Sequence, residues 1–212
     1  MVLIMSDLWN EYFINGTKVL KNKLGINDAT KLAESEKVIS LKKLTYLNLF
    51  PIHGEFDCKH LKAIPRFLFD EVYPFAGEYR KCMMARFRDF VVPEEIEESL
   101  TERLEQMNEH VKNIQSVDEY AYFLAPLYYD LMVIHPFREG NGRSVREFLR
   151  EFVLEKNKVL SFDVELDFSK IDKQEFLEAV RYRYIYPSML EMLFNEALVL
   201  KDKNLVQTTR KL

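Results

Sequence analysis

The side chains best suited to chemistry lie in one short segment of this chain. It runs from His135 to Arg146 and reads HPFREGNGRSVR. Histidine titrates near pH ~6.5, so His135 is a candidate base for a hydroxyl proton at neutral pH. The carboxylate of Glu139 is a ligand suited to Mg²⁺, an ion that bridges phosphate oxygens. These residues indicate chemistry on a phosphate-bearing substrate.

The loop inside this segment predicts an anion site. Gly140, Asn141 and Gly142 precede a helix, and glycine lets backbone approach a ligand closely. Amide groups at a helix start point outward where the helix dipole is positive. Arg143 and Arg146 are three residues apart, so both can reach an anion held there. A base, a metal ligand, an amide cradle and two guanidiniums together suit phosphoryl-type transfer.

Simpler interpretations exist for each part of the segment. A lone histidine before proline is usually a loop residue, and a lone Gly-x-Gly is a weak signal. Two arginines on one helix face are usually solvated. Their combination within one short segment makes coincidence a poor explanation.

Helices are the elements that must position this segment. Capping-box spacing between Ser116 and Glu119 predicts a helix that stops near His135, because Pro136 disfavours helical geometry in the residue before it. A stripe of apolar residues predicts the preceding helix, with Pro93 in its first turn. The stripe comprises Ile96, Leu100, Leu104, Met107, Val111 and Ile114.

Other helix starts carry recognisable caps. Asp57 is a candidate cap for a helix that Pro65 should kink or delay. Two more capped starts are predicted at Asp172 with Glu175 and at Ser188 with Glu191. By contrast, residues 79–92, YRKCMMARFRDFVV, lack helical periodicity and predict a short hairpin or extended flap.

Composition narrows the class of protein. The 212 residues are 48% hydrophobic with only 6 glycines, which suits one compact domain, with or without a small appended arm. A net charge of −4 disfavours a nucleic-acid binder, and no stretch approaches the length that spans a bilayer. Cys58 and Cys82 are too few for a disulfide framework. We therefore expect a cytoplasmic protein with neither nucleic acid nor membrane as partner.

The segment resembles the Fic family signature, H-x-F-x-[DE]-G-N-G-R-x-x-R, at every specified position. Residues 67–80, FLFDEVYPFAGEYR, are similar to the family's segment that leads into its target-binding flap. Residues 16–25 are similar to the N-terminal arm of many members. The resemblance implies an all-α fold, a Fic-type helical bundle core with a short β-hairpin flap. It divides the chain into an N-terminal helical arm (1–55), a catalytic core (56–200) and a C-terminal tail (201–212).

The resemblance also implies an activity, that of a protein adenylyltransferase. Such an enzyme transfers AMP from ATP to a Ser, Thr or Tyr hydroxyl of a target protein, releases pyrophosphate, uses Mg²⁺ and often modifies itself. Its implied roles are His135 as general base, Phe137 as loop anchor, Glu139 as Mg²⁺ ligand, Gly140, Asn141 and Gly142 as anion cradle, Arg143 at the β-phosphate and Arg146 at the γ-phosphate.

The flap and an inhibitory helix complete the expectations. Arg80, Arg86, Phe87 and Arg88 are candidates for docking the target by strand addition, although they could form a merely solvated basic strand. Many relatives are restrained by a helix with [ST]-x-x-x-E-[GN], and residues 30–35, TKLAES, match it except at the last position.

That near match predicts an inhibitory helix near residues 28–39. Thr30 begins the motif, and Glu34 is predicted to pair with Arg146. Glu34→Gly should then raise activity, whereas a solvated Glu34 would have no such effect.

Other functions remain open from the residues. A related branch phosphorylates its targets but departs from the Gly-Asn-Gly found here. Transfer of UMP or another nucleotide is compatible with a signature that contacts phosphates. A non-enzymatic nucleotide-binding regulator is the alternative from another class, and it would be expected to lose His135 or an arginine. The target and the oligomeric state are not encoded in any motif.

Overall fold

The computed structural model describes residues 8–84 and 90–201, and the described chain is predominantly helical, which confirms the all-α class. In chain order the helices are α1 (Ala29–Leu49), α2 (Cys58–Phe69), α3 (Ile96–His110), α4 (Val117–Ile134), α5 (Asn141–Lys156), α6 (Lys173–Arg181) and α7 (Pro187–Ala197). Two strands, β1 (Val164–Leu166) and β2 (Leu198–Leu200), complete the fold together with the 3-10 turns Pro93–Glu95, Val111–Asn113 and Phe168–Lys170.

Three of the predicted helix caps are confirmed. The Asp57 carboxylate accepts from the amide of His60 at 2.8 Å, and Asp172 accepts from the amides at the start of α6. Ser116 Oγ accepts from the amide of Glu119 at 3.2 Å. These bonds satisfy donors that have no partner within the helix.

Two expectations about prolines and caps need correction. The predicted capped start at Ser188 is wrong, because α7 begins one residue earlier with Pro187 in its first turn and no side-chain cap. Proline suits that position since its missing N–H is not needed there. Pro65 lies inside α2, and the helix still starts at Cys58, so the proline does not delay it.

The chain divides into two compact units. The first comprises residues 1–104 and 131–148, which include α1, α2 and the whole segment 135–146. In this unit α1 packs against α2, and α2 buries Leu61, Ile64 and Leu68. The predicted arm, residues 1–55, lies within this unit. The proposed division into arm, core and tail stays a prediction.

The second unit comprises residues 105–130 and 149–212 and holds the strand pair. β1 and β2 are antiparallel, with Glu165 opposite Val199. Its described core includes a cluster of aromatic rings whose centroids lie 5.0–6.2 Å apart. The cluster comprises Tyr128, Phe168, Phe176 and Phe194. Neither strand was predicted, because three-residue strands far apart in sequence leave little periodic signal.

The predicted flap, residues 79–92, is described only at its two flanks. Residues 85–89 lie outside the described part of the chain. On the flanks, the amide of Phe90 donates to the carbonyl of Met84 at 3.2 Å, and the amide of Val91 donates to Val133 at 3.3 Å. The two flanks therefore meet, as the ends of a hairpin would.

Among the described residues, none of the helices has both the length and the hydropathy that are needed to span a bilayer.

Candidate active site

His135 occupies the turn directly after α4. Its φ of +48° lies in the left-handed region, which ends the helix before Pro136. The ring stacks on Phe90, with centroids 3.9 Å apart and planes 4° from parallel. Nδ1 lies 3.3 Å from the carbonyl of Met132, which favours the tautomer protonated on Nδ1. The basic nitrogen is then Nε2, the one that can accept a proton from a substrate.

The loop after His135 is locked by Asn141. Its Oδ1 accepts from the amide of Phe137 at 2.9 Å, and its Nδ2 donates to the carbonyl of the same residue at 2.7 Å. Phe137 is buried, as the predicted anchor should be, and its backbone bridges to Tyr79. Because both polar atoms of the Asn141 side chain hold the loop, Asn141 can serve an anion only through its backbone amide.

Gly140 is required by the packing of the loop. Its φ is +81°, and a Cβ there would lie 2.2 Å from Cε2 of Phe69, inside the ring's van der Waals radius. Its carbonyl accepts from both the amide and the hydroxyl of Ser144, each at 3.0 Å. A side chain at this position would therefore displace either Phe69 or the start of α5.

Gly142 serves a different purpose, because a Cβ there would meet no crowding. Its nearest neighbour would be Nη1 of Arg146, at 3.4 Å. The first helical bond of α5 is donated by Ser144, so the amides of residues 141–143 precede it and are available to a ligand. The start of α5 at residues 141–143 is therefore positively polarised, as an anion cradle requires.

Glu139 has one carboxylate oxygen engaged within the loop. Oε1 accepts from the amide of Gly140 at 2.9 Å and lies 3.8 Å from Nη2 of Arg143. The side chain is 38% exposed, so Oε2 can reach a cation in solution. In residues 8–84 and 90–201 no group of three or more His, Cys, Asp or Glu side chains could enclose a metal. The role of Glu139 as a Mg²⁺ ligand stays a prediction.

Arg143 points toward helix α1. Its guanidinium forms a two-pronged ion pair with Glu36, in which Nη2 lies 3.0 Å from Oε2 and Nη1 contacts Oε1. Nη1 also donates to Ser40 Oγ at 2.9 Å, and the guanidinium lies 4.6 Å from the ring centre of Phe69. These contacts occupy both terminal nitrogens. A β-phosphate role for Arg143 stays a prediction.

The glutamate of α1 that reaches the loop is Glu36, not Glu34. Residues two apart on a helix point about 200° away from each other. Accordingly Glu36 is 7% exposed, whereas Glu34 and Thr30 lie on the exposed face. The arrangement does not favour the predicted pairing of Glu34 with Arg146. No motif in the sequence singles out Glu36, although Glu36 and Ser40, spaced four apart, share a helix face.

The ion pair between Glu36 and Arg143 should contribute measurably to stability. We expect Glu36→Gln to lower the free energy of unfolding by about 2 kcal/mol, because it removes the carboxylate that pairs with both terminal nitrogens of the Arg143 guanidinium and leaves only the longer contact to Glu139. Urea denaturation of Glu36→Gln, Arg143→Met and the double variant measures the coupling. Glu34→Gln is the matched control and should change stability by less than about 0.5 kcal/mol. Additive effects of the two single changes would contradict the pairing.

Arg80 is a structural residue, so its predicted role in docking a target is wrong. Only 1% of it is exposed. Its guanidinium donates to the carbonyls of His135 (2.8 Å), Cys82 (2.9 Å), Ile134 (3.3 Å) and Val91. Burial lowers the pKa of Arg80, yet a guanidinium remains charged in proteins. Because its donors are directed at backbone carbonyls, Arg80 connects both flanks of the flap to the turn at His135 through hydrogen bonds.

The remaining docking candidates, Arg86, Phe87 and Arg88, lie outside the described residues. The structure instead reveals a contact that the signature does not specify. Arg138, at a variable position, is 9% exposed and lies 4.4 Å from the ring centre of Trp9 and 5.3 Å from that of Phe13. The aromatic spacing in residues 9–13 was the available signal for this cation–π contact. It joins residues 9–13 to the loop.

Comparisons with known proteins agree with this arrangement. The Fic/DOC family model matches residues 55–153. "Probable protein adenylyltransferase y4lH" of Sinorhizobium fredii is 31% identical over 172 residues, covering 78% of this chain and 83% of that protein. "Protein adenylyltransferase VbhT" of Bartonella schoenbuchensis is 29% identical over 167 residues, which cover 77% of this chain but only 33% of that longer protein.

Solved structures show the same fold. The N-terminal Fic domain of a VirB-translocated Bep effector protein from Bartonella quintana superposes with a TM-score of 0.81 at 24% identity, covering 95% of this chain and 98% of that one. BepC from Bartonella tribocorum, solved with bound AMPPNP, gives a TM-score of 0.78 at 25% identity, covering 91% and 98%. With the signature loop intact and a relative above 30% identity aligned over most of both chains, this chain belongs to the Fic/DOC family.

Proposed function

We propose that this chain is a protein adenylyltransferase, which transfers AMP from ATP to a hydroxyl side chain of a target protein. The observation that carries the proposal is the loop between α4 and α5. It holds the imidazole of His135 at one end and the open amide start of α5 at the other, and Asn141 clamps the backbone between them. A base and an anion cradle on one rigid loop suit transfer of a phosphorus-centred group.

Several groups at and after the loop bind the nucleotide. The amides of residues 141–143 and the guanidinium of Arg146 bind the phosphates of ATP, since both lie at the positive end of α5. Glu139 would hold Mg²⁺, since one of its carboxylate oxygens is not engaged within the loop. The ion neutralises charge on the phosphates when it is bound.

The transfer step then balances as a displacement at the α-phosphorus. The target's hydroxyl oxygen forms a bond to that phosphorus while its proton passes to Nε2 of His135. The bond between the α-phosphorus and the oxygen bridging to the β-phosphate breaks, and pyrophosphate leaves. The cradle and Arg146 stabilise the charge that develops on the departing phosphates. No covalent intermediate on the enzyme is needed.

The relatives support this assignment by their names, since y4lH and VbhT are both called protein adenylyltransferases. BepC was solved with the ATP analogue AMPPNP. Within the proposal, the flap of residues 79–92 presents the target's backbone to the α-phosphate, and the chain also labels itself. The reaction belongs in the cytoplasm, where ATP is available and where Cys58 and Cys82, both free, would stay reduced.

The position of the transferred label tests the function. We expect the purified chain, incubated with Mg²⁺ and a cell lysate, to transfer label from the α-phosphate of ATP and none from the γ-phosphate. EDTA should abolish the transfer, because removing Mg²⁺ leaves the negative charge of the phosphates without the cation that offsets it. Label from the γ-position would assign the chain to the phosphorylating branch instead. The chain would instead be a nucleotide-binding regulator if it bound ATP but transferred no label, and if the variants Glu34→Gly and Glu36→Gln also transferred none.

A further inference from the structure

A second concave site lies in the first unit, between helix α2 and the chain segment that leads into the flap. This cavity, which we call the basic groove, has a volume of about 660 Å³. Four cations line it, together with only two acidic residues, in a chain whose net charge is −4. The cations are Lys59, Lys62, Arg66 and Lys81, and the acids are Glu78 and Glu97.

Within residues 8–84 and 90–201, the cations of the basic groove have no acidic partners. Among the described residues none of the four forms an ion pair within 4.0 Å, and the nearest aromatic contact is that of Lys62 Nζ, 4.2 Å from the ring centre of Tyr79. By contrast, Lys43 nearby pairs with both Asp70 and Glu71. Unpaired cations gathered in a cavity create a positive potential that attracts acidic ligands.

The spacing of the cations indicates the shape of the ligand. Lys59, Lys62 and Arg66 are three and four residues apart, so they form a row along one face of α2. At 1.5 Å per residue that row is about 10 Å long. A single phosphate would need converging donors, whereas a row of this length matches carboxylates spread over three residues of an extended chain, about 10 Å.

The basic groove is joined to the reacting loop through its other wall. Gly77 packs so closely on α2 that a Cβ there would lie 2.7 Å from Arg66 Cβ and 2.8 Å from the carbonyl of Lys62. Two residues later, Tyr79 bridges to Phe137 of the signature loop. Lys81 follows, at the start of the flap. A chain lying in the groove would therefore continue toward the flap.

We propose that the basic groove binds an acidic, extended segment of the target protein, next to the stretch that carries the modified hydroxyl. This inference rests on the proposed function and adds a substrate class to it. The flap aligns a target backbone without selecting its side chains. The groove supplies that selection, because acidic targets gain ion pairs that neutral ones lack.

Direct binding of a peptide tests the groove without requiring any transfer of AMP. The probe is a fluorescein-labelled peptide of six glutamates, and the comparison peptide has six glutamines. We expect anisotropy to show the glutamate peptide binding at least about tenfold more tightly, with the difference falling as NaCl rises from roughly 50 to 300 mM. Lys62→Gln/Arg66→Gln should weaken its binding about tenfold. Glutamine at 66 keeps the Cβ that packs against Gly77.

A second double variant controls for net charge. Lys31→Gln/Lys37→Gln removes two charges from the exposed face of α1 and should leave peptide binding unchanged. The proposal for the groove would be overturned if the two peptides bound equally well, or if both double variants weakened binding of the glutamate peptide equally. Tighter binding of a single-stranded oligonucleotide than of the glutamate peptide would also overturn it. Selective peptide binding by a chain that transfers no label, even as Glu34→Gly or Glu36→Gln, would uphold the groove and overturn the proposed function instead.

Discussion

Replacing His135 with alanine should reduce the transfer of AMP by about 10²–10⁴-fold, the usual contribution of a positioned general base. The imidazole follows α4 in a left-handed turn, and its Nδ1 is held by the carbonyl of Met132. Alanine leaves no group at Nε2 to take the target's proton. The measurement is the initial rate of α-label incorporation into a lysate. His53→Ala, which removes an exposed imidazole, is the matched control and should leave the rate unchanged.

A loss of activity must be separated from collapse of the loop, because the ring also stacks on Phe90. We expect His135→Ala to bind an ATP analogue with affinity within about threefold of the unmodified chain, since the cradle belongs to α5. Retained binding with lost transfer identifies a base. A variant that keeps more than about a tenth of the rate would show that another group accepts the proton. Lost nucleotide binding would show that the imidazole supports the loop.

Replacing Arg80 with methionine should cause the largest loss of stability, about 3–5 kcal/mol in the free energy of unfolding. Methionine fills similar volume but leaves the carbonyls of His135, Ile134, Cys82 and Val91 without their buried donor. Denaturation in urea measures the effect. Arg66→Met is the control at an exposed arginine of the same unit, and it should change stability by less than about 0.5 kcal/mol.

Arg80→Met should also lose activity, although Arg80 does not contact a substrate. Arg80 Nε holds the carbonyl of His135 at 2.8 Å, so its removal frees the turn that positions the imidazole. Arg80→Lys should rescue little of either property, because one ammonium cannot reach several carbonyls in different directions. If Arg80→Met were as stable as the unmodified chain and labelled lysate proteins at an unchanged rate, Arg80 would not hold the turn at His135.

Local sequence determined the reacting loop and most of the helix boundaries. Pro136 ends α4, Asp57 and Asp172 cap their helices, and the signature lies within one turn and one helix start. Such features depend on residues within four positions of one another. Their hydrogen bonds do not depend on how distant segments pack, and for that reason these features can be predicted from a single sequence.

The tertiary structure decided which charged side chains are buried and with what. Glu36 and Arg143 are 107 positions apart, and Arg80 reaches a carbonyl 55 positions away. From its position in the flap, Arg80 was predicted to be either a docking residue or part of a solvated basic strand, and arginine is mostly exposed. Only packing of distant segments surrounds it with carbonyl groups that require a donor. The basic groove arises in the same way, because its two walls meet only when residues 77–81 fold against α2.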